Sequence, residues 1–264
     1  MSWIVLNCDC GEGADDAAIL RWMSAANIAC GGHAGDANTM RATLRLCRAL
    51  NLSAGAHPSF PDRAHFGRRV LPLSPAEVRA HVIAQIGALV EIAYSEGVPL
   101  THVKPHGALY NHAAVHRDYA DAIAEAVLAT GQTFALVGPP GSALSLAAQQ
   151  RGLPYLAEGF ADRRYRPDGS LVPRNQPAAM IEDADHSVAQ ALSIVRDGLV
   201  RAGDGSAVLL RAQTLCLHSD APGAANRAQA LRQALDANGI AVLRVAEALQ
   251  RLGLTERPQQ AAHT

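Results

Sequence analysis

Lysine is all but missing from this chain. Lys and Arg together number 23 among 264 residues, yet Lys104 is the one lysine and the rest are arginines. A position kept as Lys against that bias points to work a guanidinium does not do. A lysine is a compact charge with a tunable pKa, or an amine nucleophile. Aromatics are scarce too, at 4%, so a chain that is 49% hydrophobic must fill its core with Ala, Leu and Val. No apolar run approaches the ~20 residues of a membrane-spanning helix. Met1 leads directly into Trp3-Ile4-Val5-Leu6 with no basic segment, which argues against a signal peptide. The net charge of −1 leaves no basic excess for nucleic acid. Five scattered cysteines (Cys8, Cys10, Cys30, Cys47 and Cys216) do not make a disulfide framework. There is no Walker loop either. Gly138-Pro139-Pro140-Gly141-Ser142 is glycine-rich and opens a helix, but it lacks that motif's lysine and reads as a strand-to-helix turn. These absences leave a soluble, cytoplasmic α/β protein with neither a nucleic-acid nor a membrane partner.

What is present is an alternation of short apolar runs with Ala/Leu/Arg-rich helical stretches, the pattern of repeated β-α units on a parallel sheet. Strands are expected over Ile4 to Asn7, Ala26 to Ala29, Ser53 to Ala56, Thr101 to Val103, Phe134 to Val137, Pro154 to Ala157 and Thr214 to Leu217. Helices fit Asn38 to Leu50, Asp118 to Ala129, Ser142 to Arg151, Asp185 to Arg201 and Gly223 to Asn238. Ser74-Pro75-Ala76-Glu77 is a capping box that opens a further helix to about Glu96. Gly131, Gly152 and Gly239 stand where helix C-caps belong. Ile240 to Leu243 fits an eighth strand or an outer layer, and Gly203 to Leu210 reads as a hairpin insertion. Residues 1–254 form one barrel domain on this reading, and 255–264 form a frayed tail. A closed barrel is the most economical architecture. A doubly wound open sheet is the alternative, which periodicity does not separate.

The reactive side chains follow the strands. Asn7, Asp9 and Glu12 follow the first, His33 and Asp36 the second, and His57 the third. Lys104, His106 and Asn111 follow the fourth, Glu158 and Asp162 the sixth, and His218 and Asp220 the seventh. In a parallel sheet these C-terminal ends share one face, the face where α/β folds bind ligands. Asn7 and Asp9 point to one side of their strand, and Cys8 and Cys10 to the other, so the cysteines read as wall packing. Asp9 fits a general base or a metal ligand, and with His33 and His57 it makes an Asp-His-His metal set of the kind carbohydrate deacetylases use. Glu12 fits a second base or a helix cap. Lys104 and His106 fit a phosphate or oxyanion site, and Lys104 also fits a Schiff base. Arg69, Arg163 and Arg174 suit a carboxylate or phosphate clamp. His65, His81, His112, His116, His186 and His263 read as bland.

Longer blocks carry a resemblance. Asn7-Cys8-Asp9 with Gly11-Glu12, Ala26 through Asp36, Gly55-Ala56-His57-Pro58, Phe66-Gly67-Arg68-Arg69 and His102 through Asn111 occur in order. Glu158 through Tyr165 and Leu171-Val172-Pro173-Arg174 continue the series. Together they resemble the signature of the LamB/YcsF family. The resemblance implies a seven-stranded (β/α) barrel, related in fold to glycoside hydrolases and polysaccharide deacetylases. It also implies 5-oxoprolinase activity, the ATP-dependent opening of the 5-oxoproline lactam to glutamate, with two further subunits, B and C. ATP, with Mg2+, would enter at an unconventional site or one completed by partners. Two departures stand out: a short Gly13-Ala14-Asp15-Asp16 segment, and His218-Ser219-Asp220 where the family tends to read His-Gly-Asp.

The expected site therefore has Asp9, Glu12, His33, His57, Lys104 and His106 as its catalytic group. Asn7, Arg69, Asn111, Glu158, Arg163 and Arg174 would bind substrate or phosphate. A bound divalent metal, and assembly of the chain with itself, stay open. So do two other functions: a stand-alone metal-dependent amide hydrolase or deacetylase, and a non-catalytic subunit that delivers ligand.

Overall fold

The computed structural model describes residues 2–220 and 222–254. The expected tail, 255–264, lies outside the described residues. In chain order the strands are β1 (Trp3–Cys10), β2 (Ala25–Ala29), β3 (Ser53–His57), β4 (Leu100–Val103), β5 (Ala135–Gly138), β6 (Tyr155–Phe160), β7 (Leu199–Arg201), β8 (Ala207–Leu209), β9 (Thr214–Cys216) and β10 (Ala241–Val242). The helices are α1 (Asp16–Leu20), α2 (Ala37–Leu50), α3 (Pro75–Glu96), α4 (Gly107–Val115), α5 (Arg117–Ala129), α6 (Ala143–Gln150), α7 (Ala184–Asp197), α8 (Ala224–Ala237) and α9 (Val245–Arg251).

β1 to β6 and β9 pair in parallel, and β9 pairs back onto β1 through Val5↔Thr214, Leu6↔Leu215 and Asn7↔Cys216. This closes a seven-stranded barrel and excludes the open doubly wound sheet. β10 pairs only with Trp3 and Ile4, at the start of β1. The eighth apolar run is thus an appendage to the barrel. It delivers α9 to the barrel's N-terminal end, where Val245 and Ala248 pack against Val5, Ala25, Val137 and Leu156. An apolar floor closes that mouth, and chemistry is left to the other.

Local signals explain the outer ring. Ser74 accepts from the Glu77 N–H while the Glu77 carboxylate accepts from the Ser74 N–H, with Pro75 beginning α3. Asp36 caps α2 in the same way with Thr39. Gly131, Gly152 and Gly239 adopt the left-handed conformation just past α5, α6 and α8. Several boundaries differ from expectation, β6 for one running on to Phe160, and two have a plain physical cause. α7 stops at Gly198, whose left-handed backbone ends it, and the hairpin is therefore longer, pairing β7 with β8 from Leu199 to Leu209. β1 extends to Cys10 because Cys8 and Cys10 bury themselves in the apolar layer behind the sheet.

The barrel interior is narrow at β3. A Cβ on Gly55 would lie 2.4 Å from the His102 ring. Gly55→Ala is expected to cost roughly 1–3 kcal/mol, the usual penalty of overpacking. A thermal melt superimposable on the wild type would show that the ring has room to move.

Candidate active site

The period-2 alternation of the strands turns one set of side chains inward. Asn7 donates to Glu158 (3.0 Å) and to the Thr214 hydroxyl (2.7 Å). Asn27 donates to Asn7 Oδ1 (2.8 Å) and Asp9 Oδ1 (2.7 Å), and its own oxygen meets His102 Nε2 at 2.9 Å. The result is a polar layer across the barrel, above the apolar floor. Lys104, just beyond β4, stands over it. Its ammonium lies 3.0 Å from Asp9 Oδ1 and 3.0 Å from Glu158 Oε1, with Cys216 Sγ at 3.2 Å and Asn7 Oδ1 at 3.4 Å.

Lys104 is 2% exposed, and a lone ammonium there would be expelled or neutralised. Burial does pull its pKa down, but the negative groups around it, led by Asp9, outweigh burial and hold it well above the ordinary lysine value. Burial likewise pushes Asp9 up, and His57 and Lys104 outweigh it, so Asp9 sits well below the ordinary range. Lys104 is therefore a fixed cation and unsuited to a Schiff base, which needs the free amine.

Beside Asp9 stand three histidines and Glu12. His57 Nδ1 donates to the Lys104 carbonyl (2.7 Å), and His106 Nε2 donates to the Phe66 carbonyl (2.9 Å). The remaining nitrogens of the two rings face each other at 3.0 Å. His33 stacks on His106 with ring centroids 3.6 Å apart, and its Nε2 lies 2.8 Å from Glu12 Oε1. Glu12 is thus part of the cluster, and Asp15, not Glu12, caps α1. Burial lowers His57, but Asp9 more than compensates, leaving it raised. Burial leads in lowering both His33 and His106. The expected metal set of Asp9, His33 and His57 lies in this cluster, Asp9 Oδ2 being 3.3 Å from His57 Nε2. Glu12, His33, His57 and His106 converge, while Asp9 Oδ1 is taken by Lys104 and Asn27.

The rim carries a second unit. Asp162 accepts from the His218 backbone N–H (2.9 Å) and from its Nδ1 (3.0 Å), while His218 Nε2 has no hydrogen-bond partner among the described residues. Arg68 and Arg174 both donate to Asp220 Oδ2, at 3.0 and 2.9 Å. Ser219 donates to the Asp9 carbonyl (3.0 Å), so the residue that departs from His-Gly-Asp gains a contact. Arg163 is buried and bound to the Val172 carbonyl, and burial lowers its pKa to about 10. Arg69 is exposed, with Arg68 taking the rim position. Asn111 is exposed on α4 and donates to its own helix, at the Gly107 carbonyl. These two stand apart from the cluster.

Asp162 gives this unit a pH signature. Burial raises its pKa, but His218 outweighs burial by charge and hydrogen bonding, leaving it below the ordinary aspartate value. A carboxyl depressed in the folded state adds stability above its unfolded pKa, and that stability is lost as pH falls through the depressed value. Asp162→Asn is expected to flatten the acid decline in stability below about pH 4. Equal acid limbs in urea melts of the two proteins would refute this.

Asn27, His102, Thr214 and Cys216 join the site without a signal of their own in the sequence, where Asp162 and His218 stand out only as strand-end residues. The period-2 phase carries what signal there is: residues two apart from Asp9, Lys104 and Glu158 point inward with them. The outward cysteines behave as expected of wall packing. Cys8 and Cys10 lie 3.3 Å apart in the apolar layer, and burial pushes Cys47 to about 12.

Comparison with known proteins agrees with this architecture. The LamB/YcsF family model matches residues 4–250. A Chloroflexus aggregans protein, named as the A subunit of 5-oxoprolinase, is 58% identical over 90% of this chain and 97% of its own length. The crystal structure of a lactam utilization protein from Thermus thermophilus is 42% identical, with a TM-score of 0.86 over 92% of this chain and 99% of that one. The T48 deacetylase shares the fold alone: 12% identity and a TM-score of 0.52 over 95% of this chain and 92% of that one. On the span of the match and the identity of its relatives, this chain belongs to the LamB/YcsF family.

Proposed function

We propose that this chain is the lactam-handling subunit of an ATP-dependent 5-oxoprolinase, acting with subunits B and C to open 5-oxoproline to L-glutamate. The observation that carries the reading is the buried Lys104–Asp9–Glu158 group at the open mouth of the barrel. The name borne by the Chloroflexus aggregans relative supports the choice of substrate.

A lactam carbonyl is a poor electrophile because the ring nitrogen shares its lone pair with it. Transfer of the ATP γ-phosphoryl group to the carbonyl oxygen supplies a leaving group. Water then adds at carbon, the C–N bond breaks as nitrogen takes a proton, and a second water cleaves the acyl phosphate to glutamate and phosphate. Asp9, kept ionised by Lys104 and His57, is the base for water, and Glu12 is its alternate. Lys104 favours the charge that develops on oxygen. His218, aimed by Asp162 through Nδ1, presents Nε2 to protonate the leaving nitrogen. Arg174, with Arg68, holds the substrate carboxylate at the rim. ATP and its Mg2+ meet the chain at a surface that the partners complete. The reading takes residues 1–254 as one barrel domain working in the cytoplasm, where free thiols such as the five here stay reduced.

The test is release of glutamate and phosphate from 5-oxoproline and ATP, by this chain alone and with B and C. Turnover only in the complete set is expected. ATP-independent cleavage by the chain alone would move the assignment to a stand-alone metal-dependent amide hydrolase, which the Glu12-His33-His57-His106 group favours. Undiminished complex activity after loss of both Asp9 and Lys104 would make the chain a ligand-delivery subunit.

A further inference from the structure

Two hydrogen bonds in the histidine cluster decide what can sit between the rings. A backbone carbonyl only accepts, so His57 carries a proton on Nδ1 and His106 carries one on Nε2. Their other nitrogens, both lone-pair donors in the neutral rings, face each other at 3.0 Å. Two lone pairs at that distance repel unless a cation lies between them, either a proton, which Asp9 Oδ2 at 3.3 Å favours on His57, or a metal ion. Holding the outer nitrogen on a carbonyl while the inner one faces a common point is how proteins fix histidine as a metal ligand.

The other two groups complete the shell. Glu12 Oε1 lies 2.8 Å from His33 Nε2, 3.5 Å from His106 Nδ1 and 3.7 Å from His57 Nε2. Four ligands placed tetrahedrally at zinc-like bond lengths stand about 3.3 Å from one another. The observed separations, 2.8 to 3.7 Å, bracket that value. All four donor atoms lie within 4.8 Å of one another. Asp9 Oδ2, 3.3 Å from His57, adds negative charge behind the ring. A surface cavity of about 290 Å3, lined by Glu12, His33, Asp36 and Arg63, provides an entry path.

The geometry points to a single divalent transition-metal site of zinc type, held by Glu12, His57 and His106, with His33 as the fourth ligand once its ring turns out of the parallel stack it makes on His106 at 3.6 Å. Three imidazoles and one carboxylate select zinc or cobalt(II) over magnesium or calcium, which prefer all-oxygen shells. Glu12 is the one partly exposed ligand, placed where the ion meets solvent and the cavity. The site stands on this geometry and not on the lactam reading, and its test is binding, so the two fail separately.

The full chain is stripped with a chelator and titrated with Zn2+ by calorimetry, then with Co2+ by visible absorption. One ion per chain is expected, with the intense visible bands of four-coordinate cobalt. His33→Ala and His106→Ala are each expected to weaken Zn2+ binding more than ~100-fold, beyond the 10–100-fold typical of losing a supporting hydrogen bond. Glu12→Gln, nearly isosteric and partly exposed, serves as the ligand variant if either alanine variant misfolds, and the same loss of affinity is expected. His112→Ala is the control, because His112 and His116 stack 3.8 Å apart on the surface and could collect metal on their own. The proposal is overturned if the wild type binds no Zn2+, if its cobalt spectrum is octahedral, or if binding survives the ligand variants and is lost in His112→Ala.

Discussion

Replacing Lys104 with Met is expected to lower the stability of the fold by about 3–5 kcal/mol, the cost of removing one partner from a buried ion pair. For a chain of this size that corresponds to a fall in Tm of roughly 6–20 °C. The methionine stem fills the lysine's space, so the loss is electrostatic. Asp9 and Glu158, 6% and 1% exposed, would be left as two carboxylates beside each other with no cation. Adding Glu158→Gln should recover part of the loss, because it removes one uncompensated charge and keeps an acceptor for Asn7. Lys104→Arg probes chemistry more than stability. The guanidinium keeps the charge, but its planar fork does not match acceptors set around a compact ammonium. Ring opening should vanish while the protein stays folded. Near-wild-type turnover in Lys104→Arg, or a loss under 1 kcal/mol in Lys104→Met, would show that Lys104 is not the hub described.

The rarity of lysine singles out Lys104 in the amino-acid sequence by itself. Its role as a buried hub is not legible there, because that depends on β1, β4, β6 and β9 meeting across a closed barrel. Capping chemistry is legible at Ser74 and at Gly131, Gly152 and Gly239, where a local residue type dictates the backbone. Legibility ends where a long-range event sets the boundary. The stretch from Lys104 to Asn111 reads as one site loop in sequence. In the fold α4 begins at Gly107 with φ +55, where a Cβ would meet the Gly67 carbonyl at 2.7 Å, and the helix carries Asn111 away from the site. Arg68 and Arg69 are equivalent in sequence, and only the path of the chain after Gly67 decides which one reaches Asp220. Glu12 fits two roles in sequence, and the stacking of His33 on His106, which places a nitrogen beside it, selects one.

Asp9→Asn should separate chemistry from scaffolding. The amide oxygen can still accept from Lys104 and Asn27, and Lys104 keeps Glu158 as its counter-charge. The stability loss should accordingly be about 1.5–3 kcal/mol, the scale of a hydrogen bond to a charged group and smaller than for Lys104→Met. Turnover of 5-oxoproline by the complete complex should fall ~10²–10⁴-fold, the contribution of a positioned general base. The fall should lie in kcat with KM little changed, because the lost interaction belongs to the transition state. The assay belongs well below the variant's Tm, so that unfolding does not imitate a catalytic defect. A variant that keeps more than about a tenth of wild-type kcat would fall far short of that contribution. Asp9 would then be a structural partner of Lys104, and the proton would have to leave the attacking water by another route, of which Glu12 is the nearest carboxylate to His57 after Asp9. A large fall in kcat with the fold intact would place the base at the one inward carboxylate that touches both the fixed cation and the histidine cluster.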